Sequence, residues 1–303
     1  MTHPSGTSIT LHLGAHRCAS AAVADVLDRE RDALATLGQA VWLRPQTRDG
    51  RFAGILGDPG RRVGATGRTR AEGRISLWLQ DLARDGYPQL TISDPAFLGS
   101  LRENVTLGRL YPSVGARMER LAGTLGAPER VALCIRPPHR WWSSAFAFLI
   151  GRGVRPPSDE TLAAIAAARR GWRQVIEDIA RAMPRSDLLV WTLDDLGRDP
   201  ARVVKVLTGH EVAGSNASSP QAAPSARTLE EQLETEGAPM RLPQTRGRFA
   251  PFTSDQIARM AHRFEDDLDW LRRGADGAAR LVTAPASNPR PDMTEGWNHD
   301  RRQ

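Results

Sequence analysis

Lysine is nearly absent from this 303-residue chain: Lys205 stands alone, so 40 of the 41 strong bases are arginine. A skew this wide tracks coding-base composition more than function, although every guanidinium offers a planar fork suited to phosphate or sulfate. Cysteine is almost as scarce. Cys18 and Cys134 have no CxxC partner and no neighbouring histidine ligands, which argues against a disulfide framework and against a metal site. No apolar run approaches the roughly 18 residues of a spanning helix, and the first residues lack a basic start followed by an apolar stretch. The expectation is a cytoplasmic protein with no transmembrane segment and no resident metal. Segregated charge is also missing. The net charge of +6 is spread among interleaved acids and bases, as in Arg29, Glu30, Arg31 and Asp32, whereas a nucleic-acid binder concentrates its bases on one face or run. No nucleic-acid partner is expected. With 40% hydrophobic and 25% charged residues, collagen-like, coiled-coil and wholly disordered chains are excluded.

What is present alternates in period. Short apolar runs at 8–14, 39–43, 90–93, 131–136 and 187–193 read as buried strands. Amphipathic stretches at 19–37, 114–125, 139–150, 159–182 and 254–273 read as helices, the last opening at a Thr253 or Ser254 cap. Strands separated by helices of this length imply an α/β protein with a central parallel sheet and helices on both faces. The segment 44–74, rich in Gly and Arg, reads as a loop excursion. So does 214–248, crowded with Ser, Ala, Pro and Gln around a short helical piece near 229–236. There is no internal repeat. One domain over 1–282 with a flexible tail at 283–303 is the economical organisation.

The first strand runs at once into Gly14, Ala15, His16, Arg17, Cys18, Ala19 and Ser20, and a helix begins near Ala21. Strand, tight basic loop and helix make an anion cradle. The first N–H groups of the helix have no intrahelical acceptor, the helix dipole adds positive charge, and Arg17 and Ser20 supply further donors. The plainer alternative is an ordinary turn with a solvated Arg17. The triphosphate-loop spacing G-x-x-x-x-G-K-[ST] is absent here, and the superficially similar Gly64, Ala65, Thr66, Gly67, Arg68, Thr69 follows no strand. The second anchor ends the fourth apolar run: Arg136, then Pro137 and Pro138, then a helix carrying Ser144 eight residues after the arginine. An arginine at a strand's C-terminal end and a serine in the next helix can converge on one anion at a sheet rim. The alternative pairs Arg136 with a surface carboxylate.

Together these segments resemble the sulfotransferases that use 3′-phosphoadenosine 5′-phosphosulfate. That family carries a 5′-phosphosulfate loop with a lysine and paired threonines after its first strand, and an arginine followed eight residues later by serine for the 3′-phosphate. The resemblance places Arg17 at the lysine, Ser20 at the first threonine, and Arg136 with Ser144 at the 3′-phosphate. Residues Gly14, Ala15, His16, Arg17, Cys18, Ala19, Ser20 and Ala21 would form the loop. Weaker likenesses follow in order: Leu110, Tyr111, Pro112; the run 187–196 ending in Asp194, Asp195, Leu196; and 264–268. Arg246 and Gly247 resemble, over two residues, the loop that closes over the 3′-phosphate in cytosolic members; the plainer alternative is a solvated loop. The chain departs from the family at Arg17 for lysine, Ala19 for the loop glycine and Ala21 for the second threonine.

The implied activity is transfer of a sulfuryl group from that co-substrate to a hydroxyl or amine of an unidentified acceptor: a small metabolite, a lipid or a saccharide. Arg17 would stabilise the leaving phosphate. Asp94 at the end of the third strand is the first candidate base, with His16 and His139 next; capping the following turn is the commoner role for Asp before Pro, and a histidine beside phosphate groups can as readily donate a hydrogen bond to the ligand as act as a base. His12, alternating with apolar neighbours, reads as a core histidine. Trp42, Trp78, Trp172, Trp191 and Trp270 read as core, while Trp141 or Trp142 is close enough to the second anchor to line a nucleotide pocket. Two alternatives keep their place: a sulfotransferase-like nucleotide-binding protein with little or no activity, and a nucleotide kinase of the related loop fold.

Overall fold

A computed structural model describes residues 6–55, 65–213 and 223–284. Six parallel strands form one sheet in the order β2-β3-β1-β4-β5-β8. They are β1 (Ser8–His12), β2 (Gln39–Trp42), β3 (Gln89–Ser93), β4 (Arg130–Ile135), β5 (Asp187–Thr192) and the short edge strand β8 (Arg280–Leu281). Strands β6 (Gln244–Thr245) and β7 (Arg248–Phe249) make a separate antiparallel hairpin. Leu11, Ile92, Leu133 and Val190 are wholly buried, as expected of strands covered on both faces. Their register is tight: Leu11 lies opposite Ile92 on one side and Val131 on the other, and Leu133 lies opposite Val190.

The helices are α1 (Ser20–Arg29), α2 (Arg31–Thr36), α3 (Arg44–Arg48), α4 (Ala65–Arg84), α5 (Leu101–Leu107), α6 (Val114–Leu125), α7 (Pro138–Ile150), α8 (Asp159–Ala167), α9 (Trp172–Ala182), α10 (Pro200–Thr208), α11 (Ala226–Thr235) and α12 (Ser254–Arg272). They flank the sheet in two rows, α1 against α10, and α4, α6 and α9 side by side. The chain leaves β1 toward β2 on one side and leaves β4 toward β5 on the other. Right-handed crossovers therefore send the two connections to opposite faces, and the carboxyl ends of β1 and β4 flank a crevice.

Five expected strands stand where their apolar runs lie, each within a residue or two of its limits. The helices required more correction. The stretch 19–37 breaks at Glu30 into α1 and α2, and 159–182 breaks into α8 and α9 where Gly171 caps the second helix in extended backbone. The expected loop at 44–74 contains α3 and the start of α4. Glycine and arginine masked the stripe of Ala71, Ile75 and Leu79, which are spaced four apart and fully buried. Helices α5 and α10 were not anticipated. In 214–248 the helical piece is α11, and the hairpin β6–β7 follows it. Residues 56–64 and 214–222 of these excursions, including Gly64, and residues 285–303 of the tail lie outside the described residues. Among the described residues no helix is long and apolar enough to cross a membrane.

His12 is the core histidine expected: Nδ1 lies 2.8 Å from Ser93 Oγ and its ring stacks on Trp191. Burial lowers its pKa from 6.5 to about 4. The unfolded chain therefore takes up a proton near pH 6.5 that the folded chain refuses until about pH 4, so stability falls as pH drops through that window. The difference amounts to about 3 kcal/mol. Thermal melts from pH 7.5 to 4.5 should show this loss, and His12→Gln, although less stable throughout, should show a shallower slope.

Candidate anion-binding site

The loop after β1 has an unusual backbone. Gly14, Ala15, Arg17 and Ala19 all have positive φ, at 65°, 37°, 63° and 59°. Only glycine serves at position 14, because a Cβ there would lie 2.7 Å from Ser20 Cβ. The other three carry side chains in the left-handed region, at a cost of about 1–2 kcal/mol each. Surrounding bonds hold them there. Leu13 N–H donates to Ala132 O, Trp141 Nε1–H to His16 O at 2.8 Å, and His16 N–H to Tyr111 Oη at 2.8 Å. Backbone that alternates in hand can turn successive N–H groups into one concavity. Those of Arg17, Ala19, Ser20 and Ala21 find no acceptor among the described residues, and Ala19 caps α1 without a side-chain hydrogen bond. A concavity of free N–H groups at a helix start is a site for an oxyanion.

The second anchor reaches the first directly. Arg136 extends from the end of β4, and its Nη1 donates to Arg17 O at 3.0 Å. The Arg17 guanidinium in turn donates through Nε to Ser144 Oγ at 2.9 Å and lies 4.9 Å from the Phe148 ring. Arg17 is not simply solvated, and Arg136 makes no ion pair among the described residues; the carboxylate of Asp194, which pairs with Arg140, acts on it only at longer range. Neither guanidinium has a carboxylate within ion-pair distance among the described residues. Burial, reinforced by Arg136, lowers the Arg17 pKa to about 10. Burial likewise depresses that of Arg136. Arg136 Nε and His139 Nδ1 are buried without any hydrogen-bond partner. Two partly desolvated cations with unspent donors favour an anion between or beside them. Ser144, expected to work with Arg136, is instead held by Arg17.

Beside this pair opens a cleft of about 470 Å³, bordered by Arg136, His139, Arg140, Ser143 and Ser144 on one side and by Arg246, Arg248, Phe249 and Phe252 on the other. Arg246 and Gly247, with φ of 52° and 73°, form the two-residue turn of the β6–β7 hairpin. Gly247 O accepts the N–H of Ala226 and so ties the turn to α11. The faintest of the sequence likenesses thus lies across the cleft from Arg136.

Asp94 does not stand ready as a base. Its side chain is fully buried; Oδ2 accepts from Thr47 Oγ1 and Arg48 Nε, and Oδ1 accepts from Arg48 Nη2 and Ala96 N–H. Burial alone would raise its pKa, but these bonds outweigh it and hold the carboxyl below its ordinary value. It caps the turn after β3, the plainer of the two roles considered for it. Trp141 and Trp142 are buried and pack with Tyr111 and Trp172 in one aromatic cluster, so neither borders the arginine cleft. Trp78, expected in the core, is 39% exposed and carries Arg51 4.1 Å over its ring.

The sequence pattern marks Trp172 only as a core residue and Asp267 only as part of the 264–268 likeness, with no hint that the two would meet. Trp172 Nε1–H donates to Arg136 O at 2.7 Å, and the start of α9 is held by Asp267 Oδ2, which accepts from Trp172 N–H and Arg173 N–H. Asp267 lies 95 residues from Trp172, and burial raises its pKa to about 6. Arg140 and Arg248 border the cleft from sequence contexts no different from those of other arginines. Among the described residues no cluster of His, Cys, Asp or Glu could hold a metal ion. Comparison with family models, curated proteins and solved structures finds no match for the chain, so its chemistry is read from the site itself.

If Asp94 is a structural cap, Asp94→Asn should cost about 2 kcal/mol in a urea melt, since charged hydrogen bonds to Arg48 are lost. A base would instead show near-normal stability with turnover abolished.

Proposed function

We propose that this protein is a sulfotransferase that takes 3′-phosphoadenosine 5′-phosphosulfate as co-substrate. One observation carries the reading: Arg17 and Arg136, far apart in sequence, are joined at the crevice between β1 and β4, and neither makes an ion pair with a carboxylate among the described residues. The resemblance assigns exactly these two positions to opposite ends of one doubly anionic nucleotide. The loop N–H groups with Arg17 would take the 5′-phosphosulfate, and Arg136 with the arginines of the cleft would take the 3′-phosphate. The apolar Phe249 and Phe252 offer a wall for the base.

Chemically the step needs little covalent help from the protein. A lone pair on the acceptor oxygen or nitrogen forms the new bond to sulfur while the bond from sulfur to the bridging phosphate oxygen breaks. The electron pair stays on that oxygen, and the nucleotide leaves as its bisphosphate. Arg17, still cationic at neutral pH, would stabilise the charge that builds there. With Asp94 locked in its turn, the acceptor's proton leaves to water. Because sulfur is already loosely held in such a transition state, little basicity is required of the proton acceptor.

A binding protein without transfer activity is the second reading, favoured by one feature: Arg17 Nε is already engaged by Ser144. Calorimetry with 3′-phosphoadenosine 5′-phosphate and a labelled-sulfate assay over an acceptor panel separate the two. For the enzyme, Arg17→Ala should lower turnover about 100-fold with a much smaller loss of affinity. Arg136→Ala should weaken nucleotide binding about tenfold or more. Equal losses of turnover and affinity at Arg17 favour the binding protein, and no nucleotide binding by the wild-type chain ends both readings.

A further inference from the structure

The one imidazole in the anion loop is held in a single protonation form by a residue from another part of the chain. Tyr111 Oη accepts the His16 backbone N–H at 2.8 Å and lies 3.1 Å from His16 Nδ1. Tyr111 is fully buried. A backbone N–H can only donate, so the hydroxyl proton must find an acceptor, and Nδ1 is the one within reach among the described residues. The opposite arrangement, Nδ1–H donating to the phenol, would leave the phenolic proton without a partner in a dry cluster. Tyr111 cannot easily move to find one. Its N–H donates to Asn104 Oδ1, and Arg170 holds its carbonyl and that of Leu110. Burial keeps the ring neutral, with a pKa of about 4; of the charged groups around it, the Asp94 carboxylate opposes this and Arg48, Arg44 and Arg17 add to it. The single ring proton then sits on Nε2, which has no protein partner among the described residues and is not sealed from solvent.

We infer that His16 acts as a neutral Nε2–H donor toward an oxyanion held at this loop, with its tautomer set by Tyr111, and that it does not accept the proton of the acceptor. This rests on the sulfotransferase reading for the identity of the oxyanion, a sulfuryl or phosphate oxygen of the co-substrate. Tyr111 is then a positioning residue. It acts on the ligand only through the imidazole.

The test is a long-range proton–nitrogen correlation spectrum of the full ¹⁵N-labelled chain, with His16 assigned by its loss in His16→Gln. Between pH 5.5 and 8 the ring should show the Nε2–H pattern and should not titrate, and Nε2–H should shift on adding inorganic sulfate or 3′-phosphoadenosine 5′-phosphate. Tyr111→Phe should move the ring toward a mixture of tautomers, a change that a merely structural tyrosine would not produce. Should that variant not fold, side-chain length at position 16 decides. Glutamine places an N–H near Nε2 and should bind the nucleotide within about threefold of wild type, while His16→Asn should lose about tenfold. An Nδ1–H pattern, titration near neutrality, or equal losses in the Gln and Asn variants overturns the inference. Nε2–H that answers to sulfate while the nucleotide does not bind supports it and sinks the nucleotide reading instead. Nε2–H that answers to neither overturns it.

Discussion

The site depends on one bond, from Arg136 Nη1 to Arg17 O. It joins the end of β4 to the loop after β1 and sets the Arg136 guanidinium on the backbone of Arg17, with no ion-paired carboxylate on either arginine among the described residues. Burying a cation and holding a like charge near it both oppose folding; burial first and the Arg136 charge second depress the pKa of Arg17. The fold bears it because each arginine is also anchored elsewhere, Arg17 on Ser144 and Phe148, and the carbonyl of Arg136 on the indole of Trp172. An anion entering the crevice removes the repulsion and satisfies donors that the protein leaves open. That is the physical sense in which the proposed site suits one.

The backbone of the loop is a second cost borne for the same end. Ala15, Arg17 and Ala19 occupy the left-handed region where a glycine would be free of strain. Clamps from outside the loop make this conformation the stable one: Trp141 on the carbonyl of His16, Tyr111 on its N–H, and the β4 backbone at Ala132 on Leu13 N–H. The aromatic cluster of Tyr111, Trp141, Trp142 and Trp172 is therefore less a general core than a mould for the loop. Its polar tips reach the anion loop and Arg136, while its faces exclude water.

Much of this was legible in the sequence. The five strands announce themselves because a strand buried on both faces must be apolar throughout, and the cradle because a strand, a glycine and a helix start follow without interruption. The cap role of Asp94 was legible from the proline after it, and the cap bond from Ala96 N–H is local. That Thr47 and Arg48 lock the carboxylate there was not legible, because nothing local to Asp94 announces them, and neither was the exposure of Trp78. Helix α4 was hidden for a different reason: its buried stripe is narrow, and glycine and arginine dominate the composition around it.

By itself the chain determined the parallel α/β architecture, since alternating periods of apolar residues leave few other ways to bury them. It also determined which residues could bind an anion, because donor chemistry belongs to the residue type. Tertiary structure alone decided which of forty arginines work together, that Ser144 serves Arg17, and which nitrogen of His16 carries its proton. Those outcomes are set by contacts between segments about a hundred residues apart, whose geometry no local pattern encodes.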